Sequence, residues 1–334
     1  MFVSVMPTQP SRSDVKLTIM APLFNDWACV EPLIAGVEAA TGMPVIRKIV
    51  LVDDGSTELP TQKLVGASIP IEVIRLGANV GHQRAIAIGL VSIAQAESTD
   101  VVIVIDADGE DLPENCAALW KAHVASPSAV VVAQRRKRTE SARFKFFYIL
   151  YRWFFYLLTG KRLDFGNFSL ITSEALQRLV LMPELWNHYP ATLMKSRLEL
   201  VRVPLDRGKR FAGESRMNFI SLVNHGLAGI AAFADTAYAR LLAWSIGAMG
   251  VLGSAIIAGI VFRFTQASPL PGWLALGAVA AFVALFQIIA ALVVVSFLTL
   301  SLRAQPNLPP MQVASAYISE RLLLNGYAFE ESDG

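Results

Sequence analysis

Two long apolar stretches near the carboxyl end limit the folds that are open to this chain. Between Leu241 and Leu302 the only ionisable side chain is Arg263, which separates Leu241–Phe262 from Trp273–Leu302. At about 1.5 Å of rise per helical residue the first stretch alone reaches about 33 Å, and the hydrocarbon core of a bilayer is about 30 Å thick. We therefore predict two antiparallel transmembrane helices joined by a short loop. A buried helical hairpin in a large globular core is the alternative.

The rest of the composition excludes several other classes of protein. Hydrophobic residues make up 54% of the 334 residues and charged residues only 17%, which argues against a disordered chain. The formal net charge is only +2, so no nucleic-acid partner is expected. Cys29 and Cys116 lie far apart without a C-x-x-C partner, and neither a disulfide framework nor a zinc site is predicted.

Basic residues around the apolar stretches predict the orientation of the chain. Arg210, Arg216 and Arg240 precede the first stretch, and Arg303 and Arg321 follow the second. Loops rich in Lys and Arg stay on the cytoplasmic side, so we expect both termini and the large amino-terminal part in the cytosol. Residues 1–17 contain no apolar core typical of a signal peptide. These features predict an integral protein of the cytoplasmic membrane.

Short runs rich in Val and Ile alternate with helical patterns over about residues 16–205. The runs are Leu17–Pro22, Ile46–Val52, Ile71–Leu76, Val101–Ile105 and Ala129–Ala133, with candidate helices near residues 29–40, 81–96 and 113–125. This alternation predicts an α/β fold with a mainly parallel sheet. Ligands of such sheets bind at the carboxyl ends of the strands, so the residues that follow the runs are the candidates for function.

Carboxylates follow two of these runs. Asp106 and Asp108 come after Val101–Ile105, and alternate residues of an extended segment point to one side. An oxygen-rich pair without thiols suits Mg²⁺ or Mn²⁺ together with phosphate oxygens, although a plain acidic turn is the alternative. Asp53 and Asp54 end another run and can accept hydrogen bonds from a base or ribose, or Asp54 can cap the next helix. No dinucleotide-binding G-x-G-x-x-G follows the first strand, and no P-loop motif occurs.

Several motifs occur together in an order and spacing that resemble a known family. They are Pro22-x-x-Asn25-Asp26, Val52-Asp53-Asp54-Gly55-Ser56, Asn79-x-Gly81, Asp106-Ala107-Asp108 and Gly213-Glu214-Ser215. Taken together they resemble family 2 glycosyltransferases with the GT-A fold. The two apolar stretches make the chain most similar to polyprenyl-phosphate hexose synthases, of the dolichol-phosphate mannose synthase and undecaprenyl-phosphate sugar transferase type. The resemblance covers about residues 17–235 and the apolar hairpin.

The resemblance implies an inverting, metal-dependent transfer of a sugar from a UDP- or GDP-hexose to a polyprenyl phosphate. It implies that the nucleotide is lined by Pro22, Phe24, Asp26 and Asp53, with Asp54 near the ribose or diphosphate. It further implies that Asp106 and Asp108 hold Mg²⁺ or Mn²⁺. Arginines that approach phosphate or flank a closing loop in such enzymes correspond to Arg135, Arg143, Arg210 and Arg216. A solvated basic loop near lipid headgroups is the alternative for the segment that begins at Arg135.

The side chains expected to act in the transfer itself are Asp108, Arg135, Arg143 and Arg216. Whether Glu110 assists a proton transfer, and whether His82 contacts the sugar or only begins a helix, stays open. The segments 166–169 and 186–188 are further candidates for the acceptor or sugar side, with Asn187 and His188 equally suited to a helix end. Self-association into a homo-oligomer is also left open.

The expected organisation has five parts. They are a tail at 1–15, a cytosolic GT-A domain at 16–212, an active-site loop and interfacial helix at 213–240, two transmembrane helices at 241–302 and a cytosolic tail at 303–334. Phe144–Tyr156 holds nine aromatic residues in thirteen positions, which suits a helix in the lipid headgroup layer or a core helix under the sheet. A processive polysaccharide synthase or a non-catalytic membrane-anchored binding protein are the other function classes. The first usually has a Q-x-x-R-W motif, whose tryptophan is missing after Gln134.

Overall fold

The computed structural model describes residues 15–58, 68–96, 99–135, 142–213, 219–266, 272–303 and 308–324. The chain divides into two compact units. The first unit comprises Met1–Tyr148, Leu163–Ala232 and Leu308–Gly334, and the second comprises Ile149–Arg162 and Phe233–Asn307.

A mixed β-sheet is the centre of the first unit. Its strands are β1 (Leu17–Leu23), β2 (Ile46–Asp53), β3 (Ile71–Leu76), β4 (Val101–Val104), β5 (Val130–Arg135), β6 (Phe165–Thr172), β7 (Leu200–Leu205) and β8 (Ile318–Leu324). They are ordered β7-β5-β6-β4-β1-β2-β3-β8. The pairs β1–β2, β1–β4, β2–β3 and β5–β7 are parallel, whereas β6 runs antiparallel to β4 and β5, and β8 antiparallel to β3.

Helices cover the sheet and form most of the second unit. They are α1 (Val30–Ala39), α2 (His82–Gln95), α3 (Cys116–Ala125), α4 (Ala142–Thr159), α5 (Ser173–Leu179), α6 (Tyr189–Lys195), α7 (Phe219–Ala231), α8 (Ala234–Gln266), α9 (Gly272–Arg303) and α10 (Pro310–Val313). Short 3₁₀ turns lie at Trp27–Cys29, Pro113–Asn115, Pro183–Trp186 and Ala314–Tyr317. The core between sheet and helices is built from β-branched and leucine side chains, such as Ile19, Leu33, Ile49, Ile103 and Leu119.

The α/β fold expected from the sequence is confirmed. Strands β1 to β5 and helices α1 to α3 lie within a few residues of the expected ranges. The sheet is more mixed than expected, because β6, β7 and β8 were not predicted. Gly166, Asn167 and Ser169 interrupt the apolar pattern of β6, while β7 and β8 are edge strands whose exposed faces carry charges.

The carboxyl-terminal segment differs from the expected tail at 303–334. Residues 318–324 form β8, which pairs with β3 over the register Ile71–Leu324 to Leu76–Ile318. The backbone N–H of Gly77 also donates to the carbonyl of Tyr317 at 2.9 Å. The chain that follows α9 therefore returns to the sheet and completes one of its edges.

The second unit contains two helices that are long and apolar enough to cross a membrane. The candidate spans are Ala234–Phe262 and Leu274–Leu298, and neither is buried. Helix α8 begins at Ala234, before the expected Leu241, and the added segment contains three alanines and Arg240, which are strong helix formers. These two helices are the apolar hairpin that was expected from the sequence.

The aromatic part of α4 in this second unit is amphipathic. Phe155 is buried and its ring lies 6.0 Å from that of Phe233, whereas Trp153 is 60% exposed and Phe154 46% exposed. Arg240 donates to the carbonyl of Leu157 at 3.0 Å and thereby pairs with an otherwise unsatisfied group at the end of α4. One side of α4 therefore packs and the other side is exposed.

Candidate functional site

Three parallel strands bring the predicted acidic residues to one crevice. β1 lies between β2 and β4, and the acidic residues lie at or just beyond the carboxyl ends of these strands: Asp26, Asp53, Asp54, Asp106 and Asp108. The ladder between β1 and β4 ends at Met20 and Val104, ahead of Pro22, which has no N–H to continue it. β1 and β4 are not paired beyond this point, and in α/β folds ligands bind in the crevice outside such strand ends.

The motif around Asn25 shapes the mouth of this crevice. Asn25 has a positive φ of 52°, and its side-chain oxygen accepts from the backbone N–H of Thr57 at 2.9 Å and Glu58 at 3.1 Å. Its own backbone N–H donates to Ser56 Oγ at 2.8 Å. Asn25 therefore ties the loop after β1 to the loop after β2, which is a structural role.

Asp53 and Asp54 are both buried, and they make different contacts. Asp53 Oδ1 accepts from the N–H of Ser56 at 2.9 Å, and Asp53 Oδ2 lies 3.7 Å from Arg75 Nε. Asp54 accepts from the backbone N–H of Val80 at 2.7 Å and of Gly81 at 3.0 Å. Gly81 is the N-cap of α2, so Asp54 binds the backbone immediately ahead of this helix.

Asp106 is held by polar side chains from α2 and β6. His82 Nε2 and Asn167 Nδ2 each lie 3.2 Å from Asp106 Oδ1. Asn167 Oδ1 in turn accepts from Gln83 Nε2 at 3.1 Å, and Gln83 Oε1 accepts from the N–H of Tyr189 at 2.6 Å. The sequence suggested Asn167 only as part of an acceptor-side segment, because β6 was not recognised as the strand next to β4.

Asp108 faces an arginine from the loop that follows β7. Arg210 Nη1 lies 2.8 Å from Asp108 Oδ2, and Arg210 Nη2 lies 3.2 Å from Asp26 Oδ1. Asp108 Oδ1 also accepts from the N–H of Glu110 at 2.9 Å. One guanidinium group therefore connects the carboxylates that follow β1 and β4. From the sequence, Arg210 could be assigned to this site only by resemblance.

The loop at residues 206–213 lies directly on the turn that contains Asp108. The N–H of Phe211 donates to the carbonyl of Asp108 at 2.9 Å, and the N–H of Gly208 donates to that of Glu110 at 2.9 Å. Arg207 forms an ion pair with Glu110. Glu110 is thus engaged in holding the loop on the turn.

Glycine is required at position 109 beneath this loop. Gly109 has a φ of +85°, and a Cβ atom placed on it lies 2.6 Å from the Phe211 ring. We expect Gly109→Ala to detach the loop and to lower transfer activity on the order of tenfold, because the ring cannot stay in place. Hydrogen exchange of residues 206–213 measures the detachment.

Gly42→Ala is the matched control for this substitution. Gly42 has a nearly identical φ of +86° but no atom within 4 Å of the added Cβ, so it carries the backbone strain without the clash. Equal exchange and activity in both variants would show that strain, not the contact with Phe211, decides the outcome.

Burial and mutual repulsion perturb the titration of the crevice. Burial raises the pKa of Asp108, and the adjacent Asp106 carboxylate adds to the rise, while Arg210 opposes it. Burial also raises the pKa of Asp54. For His82, burial acts to lower the pKa, but the carboxylates of Asp106, Asp108 and Asp54 more than offset it, so the pKa lies above its usual value. The crevice therefore favours a cation among its carboxylates.

The donor set of the crevice fits a hard divalent cation. Asp106 and Asp108 offer carboxylate oxygens without thiols, which is the chemistry that Mg²⁺ and Mn²⁺ prefer. Among the residues that the structure describes, no group of three His, Cys, Asp or Glu side chains is arranged to hold a metal ion. A cation here would take its remaining ligands from water and from phosphate oxygens, as Mg²⁺ commonly does.

Other expected residues are placed by their backbone or lie outside the described part. Pro22 is in β1, and Phe24 follows it at the crevice. Arg135 ends β5, opposite Leu205 of β7, and Arg143 lies in the first turn of α4. Arg216, with Glu214 and Ser215, lies outside the described residues. His188 is buried as the N-cap of α6, where its Nδ1 accepts from the N–H of Ala191 at 3.2 Å, in agreement with the helix-end alternative.

Comparison with known proteins identifies the sheet unit. Residues 18–181 match the family described as glycosyl transferase family 2. The chain contains a family 2 glycosyltransferase domain. It is 27% identical over 232 residues to an uncharacterized glycosyltransferase of Synechocystis sp., which corresponds to 66% of this chain and 70% of that protein. The chain is therefore an enzyme of the glycosyltransferase class.

Solved structures share the fold of this domain. Glucosyl-3-phosphoglycerate synthase from Mycobacterium tuberculosis, in complex with Mn²⁺, UDP-glucose and phosphoglyceric acid, has a TM-score of 0.51 and 15% identity, covering 67% of this chain and 80% of its own. The same enzyme in complex with Mn²⁺, UDP and its product has a TM-score of 0.50 and 14% identity, over the same shares of both chains. These likenesses establish a GT-A fold with a mixed sheet.

Proposed function

We propose that this glycosyltransferase transfers a sugar from a nucleotide-sugar donor to a polyprenyl phosphate at the cytosolic face of the cytoplasmic membrane. The observation that carries the proposal is the convergence of five carboxylates and Arg210 on one crevice, in a chain that also has two apolar helices of membrane-spanning length. The crevice is the proposed binding site of the donor, and the helices are proposed to hold the enzyme in the membrane that contains the lipid acceptor.

The donor half of the proposal assigns the residues around the crevice. Asp53, together with Pro22, Phe24 and Asp26, lines the nucleotide, and Asp106 and Asp108 hold the cation. A bound Mg²⁺ or Mn²⁺ would neutralise charge on the donor diphosphate. Support comes from the oxygen-only donor set and from the similar fold of an enzyme whose structure contains Mn²⁺ and UDP-glucose. Arg210 is close enough to both ends of the crevice to contact the diphosphate as well.

The acceptor half of the proposal follows from its chemistry. A polyprenyl phosphate oxygen is already anionic near neutral pH, so it attacks the anomeric carbon without a strong general base. The chain has then to position the two substrates and to stabilise the departing nucleoside diphosphate. A single displacement inverts the anomeric centre. The engagement of Glu110 with Arg207 agrees with a mechanism that needs no carboxylate base.

The membrane location in the proposal rests on the second unit. Helices α8 and α9 are proposed to cross the bilayer, with the catalytic domain and both termini in the cytosol because the basic residues flank the hairpin on one side. The exposed aromatic side of α4 is proposed to lie in the headgroup layer. Both features keep the enzyme at the surface where a polyprenyl phosphate headgroup is found.

Product analysis tests this proposal directly. The purified full-length protein is incubated with UDP- and GDP-sugars, undecaprenyl phosphate and Mg²⁺ or Mn²⁺. A lipid-linked monosaccharide with inverted anomeric configuration is the expected product. A polymer would indicate a processive synthase, and binding of nucleotide sugar without any product would indicate a non-catalytic protein; either result contradicts the proposal.

Arg135 and Arg216 give a second test of the proposed chemistry. We expect Arg135→Ala and Arg216→Ala to lower turnover on the order of tenfold to a hundredfold, with little change in thermal unfolding, because they stabilise phosphate charge. Lysine at either position should restore only part of the activity, since it lacks the planar fork of arginine.

Arg178→Ala is the control for these two substitutions, because Arg178 is an exposed arginine in the last turn of α5. If Arg135→Ala turned over at the same rate as Arg178→Ala, Arg135 would belong to a solvated basic loop. The same comparison decides the role of Arg216.

A further inference from the structure

Two rows of alternating charge cross the edge of the sheet formed by β2, β3 and β8. In the first row Asp53, Arg75 and Glu320 occupy directly paired positions of the three strands. Arg75 Nε lies 3.7 Å from Asp53 Oδ2, and Arg75 Nη1 lies 3.9 Å from Glu320 Oε2. A buried carboxylate of the crevice is thus connected through one arginine to the carboxyl-terminal strand.

The second row lies on the opposite face of the same strands. Lys48 Nζ is 2.5 Å from Glu72 Oε2, and Arg321 Nη1 is 3.0 Å from Glu72 Oε1. Arg321 Nη2 also donates to Ser92 Oγ at 3.3 Å. Since neighbouring residues of a strand point to opposite faces, β8 presents an acid to one row and a base to the other. A register shift of one residue would place like charges together, so the pairing of β8 with β3 is well specified.

Backbone contacts bring β8 close to the rest of the donor crevice. Ser319 Oγ donates to the carbonyl of Arg75 at 3.1 Å, and the N–H of Gly77 donates to the carbonyl of Tyr317 at 2.9 Å. The turn that begins at Gly77 continues to Val80 and Gly81, whose N–H groups bind Asp54. The strand that follows the apolar hairpin therefore holds both the arginine beside Asp53 and the turn beside Asp54.

We propose that Arg75 is a positioning residue for the donor nucleotide, and that β8 sets its position through Glu320. The inference deepens the proposed function, because it rests on Asp53 as a nucleotide-binding group. Asp53 Oδ1 is fixed by the N–H of Ser56, and Arg75 beside Oδ2 fixes the plane of the carboxylate. Glu320 lies on the other side of Arg75, so the guanidinium is placed between two carboxylates.

Binding of UDP in the presence of Mn²⁺, measured by calorimetry on the full-length protein in detergent, tests this inference, with GDP as a second probe. We expect Arg75→Gln to weaken nucleotide binding on the order of fivefold to tenfold, and Glu320→Gln about twofold to threefold, since partly exposed ion pairs are individually weak. Arg75→Lys should recover part of the loss. The donor KM should rise, while kcat and the KM for polyprenyl phosphate stay unchanged.

Arg321→Gln is the matched control, because it changes the next residue of the same strand. It removes the ion pair with Glu72 and the hydrogen bond to Ser92, so it weakens the docking of β8 without touching the row that contains Asp53. Thermal unfolding, measured for all four variants, gives the loss of stability that each substitution causes. The inference predicts that Glu320→Gln binds the nucleotide more weakly than Arg321→Gln does, although Glu320→Gln loses no more stability than Arg321→Gln.

Two results would overturn the inference while leaving the proposed function in place. One is wild-type affinity in Arg75→Gln, and the other is an equal loss of affinity in Glu320→Gln and Arg321→Gln, which would mean that only strand docking matters. A wild-type protein that binds neither UDP nor GDP would instead remove the proposed function, and the donor role of Arg75 with it.

Discussion

Asp106→Asn and Asp108→Asn should each lower metal-dependent sugar transfer on the order of a hundredfold or more, because each removes one anionic ligand of a hard cation that neutralises the donor diphosphate. The loss should be partly overcome at high Mn²⁺, since the remaining carboxylate still binds the ion. Initial rates measured over a titration of Mg²⁺ and of Mn²⁺ give both the affinity for the ion and the rate at saturation. Turnover at the wild-type rate in low metal by both variants would reject the assignment.

The two substitutions should differ in their effect on the loop at 206–213. Asp108 also pairs with Arg210 and accepts from the N–H of Glu110, whereas Asp106 contacts His82 and Asn167. Asp108→Asn is therefore expected to increase hydrogen exchange in that loop, and Asp106→Asn to leave it unchanged. Asp100→Asn serves as control, because Asp100 precedes the same strand at its opposite end and accepts from the N–H of Lys16 at 2.8 Å.

The raised pKa of Asp108 adds a pH dependence to the same measurement. Burial and the neighbouring Asp106 raise this pKa, so the carboxylate takes up its proton at a higher pH than an ordinary aspartate. A proton and a cation compete for this group, and the apparent affinity for Mn²⁺ should fall as the pH is lowered through that raised pKa. The fall should begin at a lower pH in Asp108→Asn, which has no carboxylate to titrate at this position.

The parallel part of the fold could be predicted from the sequence for a simple physical reason. Strands β1 and β4 are buried along their whole length and β2 from Ile49 onward, so their residues there are mostly apolar and easily recognised. Their order along the chain, and the acidic residues that follow them, then place Asp53, Asp106 and Asp108 at one edge. The crevice was predictable because it lies where these strands end.

The antiparallel strands could not be predicted, because polar and charged residues that make specific contacts interrupt their apolar pattern. β6 contains Asn167, which contacts Asp106, and Ser169, which lies 2.7 Å from the hydroxyl of Tyr189, so polar residues interrupt its apolar pattern. β8 carries Glu320 and Arg321 at an edge of the sheet and follows a long apolar hairpin, so nothing local indicates its partner. Contacts between distant parts of the chain decide both strands.

Charge alone also left the roles of individual crevice residues unresolved. Asp54 directly follows Asp53 in the sequence, yet it binds the backbone just ahead of α2. Arg210 pairs with Asp26 and Asp108, which lie 184 and 102 residues away in the chain. Only the folded arrangement shows that Asp54 binds the backbone ahead of α2, whereas Asp53 lies between the N–H of Ser56 and Arg75.

The position of β8 determines how the role of the apolar hairpin has to be tested. A truncation after Tyr238 removes most of α8 and all of α9, but it also removes β8 and its contacts with Arg75 and Glu72. Loss of activity in such a protein would not distinguish a missing membrane anchor from a damaged donor crevice. Replacement of residues 234–307 by a flexible Gly/Ser linker keeps residues 308–324 available to complete the sheet.

We expect the protein with this linker to bind UDP and Mn²⁺ with wild-type affinity and to lose transfer to long-chain polyprenyl phosphate in bilayers, on the order of a hundredfold at limiting lipid. Anchoring confines enzyme and acceptor to one surface, and this gain in effective concentration disappears without the helices. Transfer to a short, water-soluble polyprenyl phosphate should be nearly unchanged, because that acceptor gains nothing from the anchor. The exposed aromatic side of α4 can leave weak membrane binding, which flotation with vesicles measures. Undiminished transfer in bilayers by a protein that stays in solution would show that α8 and α9 serve another purpose, such as assembly with further copies of the chain.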